Sequence, residues 1–303
     1  PIASAEGLQG GGGNDVVTND GSITVMTRSK SYASSTSVTV FGDSAARAGT
    51  EVETRATGIA GGLGNDTIVN TGALQVGPAD DAADEARYMS VLEANSFTAG
   101  FAGSGDAQSG AYAETSSTGI NGDEGDDSVA NSGDVDVFAS AQSKAIASSM
   151  SVFGGGDAGA KSGAFTTATG FAGGLGDDTL RNEETGTVDV RAETNTFANA
   201  ASYSFAGGGD TSAQLAGDST AVGFSGGAGV DVLSNQGILN VTALADLTSK
   251  GGTRATFDGG TTYSTTKTAA VAFATALEGG DGDDVVTNSG DATVLATSVA
   301  RAQ

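Results

Sequence analysis

Carboxylates set inside glycine turns are the chemistry-bearing pattern in this chain. One such turn reads Gly61-Gly62-Leu63-Gly64-Asn65-Asp66, and related turns occupy 10–15, 122–127, 173–178, 226–231 and 279–284. Their last residues are Asp15, Asp66, Asp127, Asp178, Asp231 and Asp284, and a second acid precedes three of them at Asp126, Asp177 and Asp283. A glycine turn of this kind offers backbone carbonyls and a carboxylate, all hard oxygen donors. Calcium takes about 6–8 oxygens at about 2.3–2.6 Å, more than one turn supplies, so the ion would sit between two stacked turns. With no His and no Cys in the sequence, this donor set points to Ca²⁺ rather than to a transition metal. In a stack without a cation the neighbouring acids would repel one another. These nine aspartates are therefore the expected metal ligands.

Other chemistry finds little support. There is no His for a triad or a zinc site. No Lys follows the glycines as it does in phosphate-cradling loops. Paired acids such as Asp177-Asp178 recur from repeat to repeat, whereas a glycosidase pair belongs to one site. A non-enzymatic chain is expected. Its formal net charge of −24, with 13 scattered basic residues, excludes a nucleic-acid backbone as partner. No stretch is long and apolar enough to insert in a membrane. A second acidic series, Asp43, Asp106, Asp157 and Asp210, drifts in its spacing from the neighbouring Phe and reads as ordinary turns.

The elements that must position these turns follow from their period. The closing aspartates are 51, 61, 51, 53 and 53 residues apart, and a fixed long period marks a repeat architecture. Two residues beyond each aspartate is an aliphatic side chain (Val17, Ile68, Val129, Leu180, Leu233, Val286). Four residues beyond is always asparagine (Asn19, Asn70, Asn131, Asn182, Asn235, Asn288), and seven residues before is an apolar side chain (Leu8, Ile59, Ile120, Phe171, Phe224, Leu277).

One repeat predicts a short strand to Asn131, a turn at Asn131-Ser132-Gly133, and a long strand with Val135, Val137, Ala139 and Ala141 on one side. That alternation runs on to Phe153. A second turn at 154–157 leads to a return strand over about 158–171. Phe41, Phe101, Phe153, Phe205 and Phe257 mark the second turn in successive repeats. The long interval holds an insertion near 78–88, where 80–85 breaks the alternation.

The expected fold is all-β: a single array over 1–303, a parallel β-solenoid of about six long rungs of roughly 51–53 residues. At about 4.7–4.9 Å per rung the stack is roughly 30 Å tall. Aromatics are 6% of residues, and a core of Ala and Val suits a thin solenoid. Parallel stacking would align the asparagines as a ladder of amides.

The turn with its continuation, as in Asp15-Val16-Val17, Asp66-Thr67-Ile68 and Asp284-Val285-Val286, resembles the hemolysin-type (RTX) calcium-binding repeat of secreted bacterial proteins. That resemblance implies a parallel β-roll, calcium between stacked turns, and export from the cell. The family repeats the motif as a tandem nonapeptide, whereas here it occurs once per long rung. The small-side-chain strands are similar to those of giant bacterial surface adhesins and filaments.

The function expected is an extracellular calcium-binding structural protein, a subunit or segment of a bacterial surface filament, adhesin or biofilm matrix. Weak repeated carboxylate sites suit the calcium concentrations outside cells. The alternative is a calcium-dependent secretion and folding module of an exported enzyme. An ice-binding array would need a Thr column in every repeat, which is lacking. The expected partner is a further copy stacked head to tail, or further repeats of a longer chain, because 1–9 match the tail of a repeat and 291–303 its opening half.

Overall fold

The structure, a computed structural model, describes residues 1–79, 84–257 and 261–303. It is a parallel β-solenoid in which each strand pairs with the equivalent strand of the next rung. In one rung an outgoing strand, Asp134–Phe153, runs 20 residues to a tip. After Gly154-Gly155 a returning strand, Gly156–Leu175, comes back over 20 residues. The glycine-aspartate turn then leads to a short end strand, Thr179–Asn182. Returning strands form one six-stranded sheet and end strands another; outgoing strands form an eight-stranded sheet, being split in two in the first two rungs.

Three walls meet at one end of the rung and two at the other, giving a triangular head and a flat blade. Alternating residues decide what fills each. In the head, Ile59, Ile120, Phe171 and Phe224 of the returning sheet meet Val129 and Leu180 of the end sheet and Val137 and Val190 of the outgoing sheet. The Phe171 and Phe224 rings stack, 4.5 Å apart at 15°. In the blade the inward residues shrink to alanine, as at Ala107, Ala113, Ala147, Ala160, Ala200 and Ala213. Alanine facing alanine lets the two long sheets approach closely.

Hydroxyls partition these two cores. Thr54, Thr115, Thr166 and Ser219 lie in register on the returning sheet. Thr54 and Thr115 pair with the Ser90 hydroxyl at 2.9 and 2.8 Å, and Thr166 pairs with Thr194 at 3.0 Å. Further out, Ser162 donates to Ser143 at 2.7 Å, and Ser143 donates to the Ala111 carbonyl at 3.0 Å. Each bond crosses between sheets, so these buried hydroxyls find the partners that burial requires.

The expected columns form in register: the aliphatic and asparagine series on the end sheet and the Leu8-to-Leu277 series on the returning sheet. Two expectations need correction. The return strand begins and ends beyond 158–171, because pairing persists up to the glycine turns. Phe153 does not continue the inward series; it is exposed at the tip. The five Phe all stand at the tip, but in two registers: Phe41, Phe153 and Phe257 align with Ala102 and Ala206, so Phe101 and Phe205 sit one residue earlier. Large and small side chains thereby alternate up the tip. The same offset explains the drift among Asp106, Asp157 and Asp210, which are paired strand residues, while Asp43 precedes its strand.

Between Val76 and Ser90 the outgoing strand is interrupted, with a 3₁₀ turn at Asp84–Arg87. Of the expected insertion, 80–83 lies outside the described residues, as does 258–260 at the fifth tip. Arg87 reaches back to Glu193, Tyr88 is buried, and outward-pointing Phe138 is covered.

Candidate functional site

Each closing aspartate follows a turn whose second glycine has left-handed backbone, with φ of 107° at Gly11, 111° at Gly62 and 113° at Gly174. In the third copy Asp123 takes that place at φ 78°, the one non-glycine residue with positive φ among those described. Side chains are strained there, which is why the position is otherwise glycine.

At the turn, strand pairing lapses and the aspartates replace it. The Asp15 N–H donates to Asp66 Oδ1 at 2.7 Å, Asp66 to Asp127 at 2.6 Å, and Asp127 to Asp178 at 2.8 Å. Asp178 donates to Asp231 at 2.8 Å and Asp231 to Asp284 at 2.9 Å. One carboxylate oxygen per rung thus accepts the backbone N–H of the rung before it.

The preceding residues form a parallel row of opposite polarity. Asn65 N–H donates to Asn14 Oδ1 at 3.0 Å, Asp126 N–H to Asn65 Oδ1 at 3.1 Å, and Asp177 N–H to Asp126 Oδ1 at 3.0 Å. The Val230 N–H donates to Asp177 Oδ1 at 2.8 Å. Here the side chain serves the rung after it. The nine expected acids therefore share one corner but occupy two rows. Asp66, Asp127, Asp178 and Asp231 are buried, Asp15 and Asp284 are half-buried, and Asp126, Asp177 and Asp283 are exposed.

The second oxygen of the inner row is the unusual one. Oδ2 of Asp15, Asp66, Asp127, Asp178 and Asp231 is buried without a hydrogen-bond partner. It lies against the first glycine of its own turn. A Cβ on Gly173 would stand 2.4 Å from Asp178 Oδ2 and 2.4 Å from the Gly226 carbonyl oxygen. At Gly122 the corresponding distances to Asp127 Oδ2 and the Gly173 carbonyl are both 2.5 Å. A carboxylate oxygen and a carbonyl of the next rung therefore share a small space that only glycine leaves open. Both are acceptors, and an ionised carboxylate buried without a donor or a countercharge is costly.

The electrostatics agree. Burial pushes the Asp178 carboxyl up to about 7, and charged Asp127, Asp231 and Asp126 add to it against the opposing bond from the Asp127 N–H. Burial likewise raises Asp127 to about 6, with Asp66, Asp123 and Asp126 contributing. Asp231 is raised mainly by burial, with Asp284 and Asp177 adding. Something positive, a proton or a cation, is favoured at each.

The acceptors at this corner are all hard oxygens, which matches calcium in donor type. No group of three or more His, Cys, Asp or Glu converges among the described residues. A calcium ion here would depend on turn carbonyls as well as on Oδ2.

On the end sheet, Asn19, Asn70, Asn131, Asn182 and Asn235 each donate from Nδ2 to Oδ1 of the next asparagine at 2.7–2.9 Å, ending on Asn288. The amide ladder is present. Two further sets carry the corner without having been singled out in the sequence. Asn14 and Asn65 complete the outer row. Gly7, Gly58, Gly119, Gly170 and Gly223 form a column where a Cβ would fall 2.2–2.5 Å from a carbonyl of the next rung. Both were readable: the first as Asn or Asp before five of the six closing aspartates, the second as a glycine three residues before the first five turns. Comparisons with protein-family models, curated proteins and solved structures gave no match.

Proposed function

We propose that this chain is a structural module of an extracellular bacterial filament, adhesin or matrix, whose aspartate corner takes calcium. The observation that carries the reading is the column of buried Oδ2 atoms without partners. Asp66, Asp127, Asp178 and Asp231, with the first glycine carbonyls of neighbouring turns, are the groups that would hold the ion. Bound calcium would supply the positive charge that these oxygens lack at neutral pH. The remaining parts of the rung serve shape: three sheets, two cores and two ladders make a stiff rod rather than a cleft.

Lengthening of the rod by a further rung, from another copy or from the same chain, belongs to this proposal. The ladders are polar. The Asp284 N–H lacks the next carboxylate, and Asp15 Oδ1 lacks the preceding N–H, so one end offers what the other accepts. Ala276 stands where the other rungs have the corner glycine, and its methyl would meet a carbonyl of an added rung. Ala276→Gly should therefore promote end-to-end growth, seen as longer particles by electron microscopy.

The test of calcium binding is thermal melting at neutral pH with calcium and with chelator. A site bound at a hundredfold excess over Kd contributes about 2.7 kcal/mol, enough to raise Tm measurably. An unchanged Tm, with no heat of calcium binding by calorimetry, would refute the assignment.

A further inference from the structure

The outer face of the outgoing sheet carries a field without charge towards the blade tip. Its outward positions are 34, 36, 38 and 40 in the first rung, then 95–101, 146–152 and 199–205 at alternate residues in the next three. None is charged, on a chain of net charge −24. Several are large and open to solvent: Val38 at 71%, Met150 at 47% and Tyr203 at 53%. In the fifth rung the same columns turn basic, with Lys250 beyond Asn199 and Arg254 beyond Tyr203. An uncharged face with large apolar side chains open to solvent marks an interaction surface.

We propose that the face binds the same face of a second copy, with the two rods antiparallel. A two-fold axis lying along the strands keeps each column opposite itself and reverses the order of rungs. Val38 then meets the partner's Tyr203, and Ala99 meets the partner's Met150. Phe97 meets the partner's Ser148. Each large side chain opposes a smaller one, as close packing between two surfaces requires. Parallel pairing brings Lys250 and Arg254 of both copies into the contact, whereas the antiparallel arrangement leaves them outside it. This pairing is side by side and is independent of growth at the rod ends.

The field is four rungs by eight residues, about 19 Å by 26 Å from strand geometry, or roughly 500 Å² in projection. A standard interface covers about 800 Å² per partner. Pairing of this chain is therefore weak and concentration-dependent, and it strengthens in longer arrays.

Sedimentation equilibrium across a concentration series tests it, with circular dichroism to verify folding. The wild-type chain should dimerise reversibly. Tyr203→Lys and Val38→Glu should each weaken dimerisation at least tenfold, and the two together should restore it. Those positions are three rungs apart within one chain, so restoration reports a contact between copies. Thr167→Lys, on the exposed outer face of the returning sheet, should change nothing. A monomer at every concentration, or a dimer indifferent to both single substitutions, would overturn the proposal. Failure of the double variant to restore pairing would overturn the antiparallel arrangement. Binding of the monomer to phosphatidylcholine vesicles in place of dimerisation would assign the face to a lipid surface and overturn the second copy as its occupant.

Discussion

Head and blade are made by the same strands, yet they are held together differently. The head encloses Phe171, Phe224, Ile59 and Leu180 between three walls, and burial of large apolar surface dominates there. The blade has only two walls, filled by alanines and crossed by hydroxyl bonds. Alanine contributes little apolar area, so close approach and backbone pairing must do more. The head has room for a buried carboxylate row because its corner bends through glycines. The blade admits neutral hydroxyls and, among its described residues, no buried charge. One rung can thus combine a sensitive corner with an inert extension.

The largest expected break comes from the head. Phe171→Ala removes a fully buried ring stacked on Phe224 and should cost about 3–5 kcal/mol, read by denaturant unfolding. The lost ring leaves a cavity between three walls that cannot easily close. Overfilling tests the blade in the opposite sense. Ala147→Leu should cost about 1–3 kcal/mol or more, because two facing sheets have no space for a longer side chain. Val137→Leu in the head should cost less. Equal costs at the two sites would contradict the contrast in packing.

Acidity should act on the head through its raised carboxyls. In the folded chain Asp127 and Asp178 hold their protons to about pH 6 and 7, whereas unfolded carboxyls lose them near pH 4. Their contribution to stability is full below about pH 4 and is lost as pH rises through about 7. In chelator, stability should therefore decline between those limits, by an amount on the order of a kcal/mol or more per carboxyl. Asp178→Asn should flatten the decline, since an amide keeps the Oδ1 acceptor and can donate towards the Gly226 carbonyl. A profile unchanged by that substitution would remove Asp178 as its source.

The smallest effect concerns the third turn. Asp123→Gly replaces a side chain at φ 78° and removes a charge beside Asp66. It should stabilise by about 1 kcal/mol, seen as a higher Tm. A loss of stability would mean that the Asn121 amide, which donates to Asp123, matters more than backbone strain.

Much of the rung was legible because its signals are periodic. Alternation at Val135, Val137, Ala139 and Ala141 predicts one inward face, and the structure buries all four. Asparagine at each fourth place after the aspartate predicts the amide ladder. The division into two cores was harder to see, although the inward series passes from Val to Ala along each strand. Alternation reports which face is inward and not how many walls surround it. The two polarities of the turn rows were not legible at all. Adjacent residues such as Asp126 and Asp127 differ little in sequence, but successive N–H groups point to opposite rungs, so one row serves the rung below and the other the rung above. The acids drift relative to the Phe series because Phe101 and Phe205 stand one residue earlier than the pairing register of Phe153, Ala102 and Ala206.

The corner's need for positive charge is the central claim, and amide hydrogen exchange tests it most directly. Exchange is measured at pH 7.5 with calcium and with chelator. The account predicts that calcium slows exchange at the N–H groups of Asp66, Asp127, Asp178 and Asp231 and their turn neighbours, while amides of the blade such as Ala147 and Ala160 keep their rates. Exchange that is the same in both conditions at the turns, or that changes equally in head and blade, would contradict it.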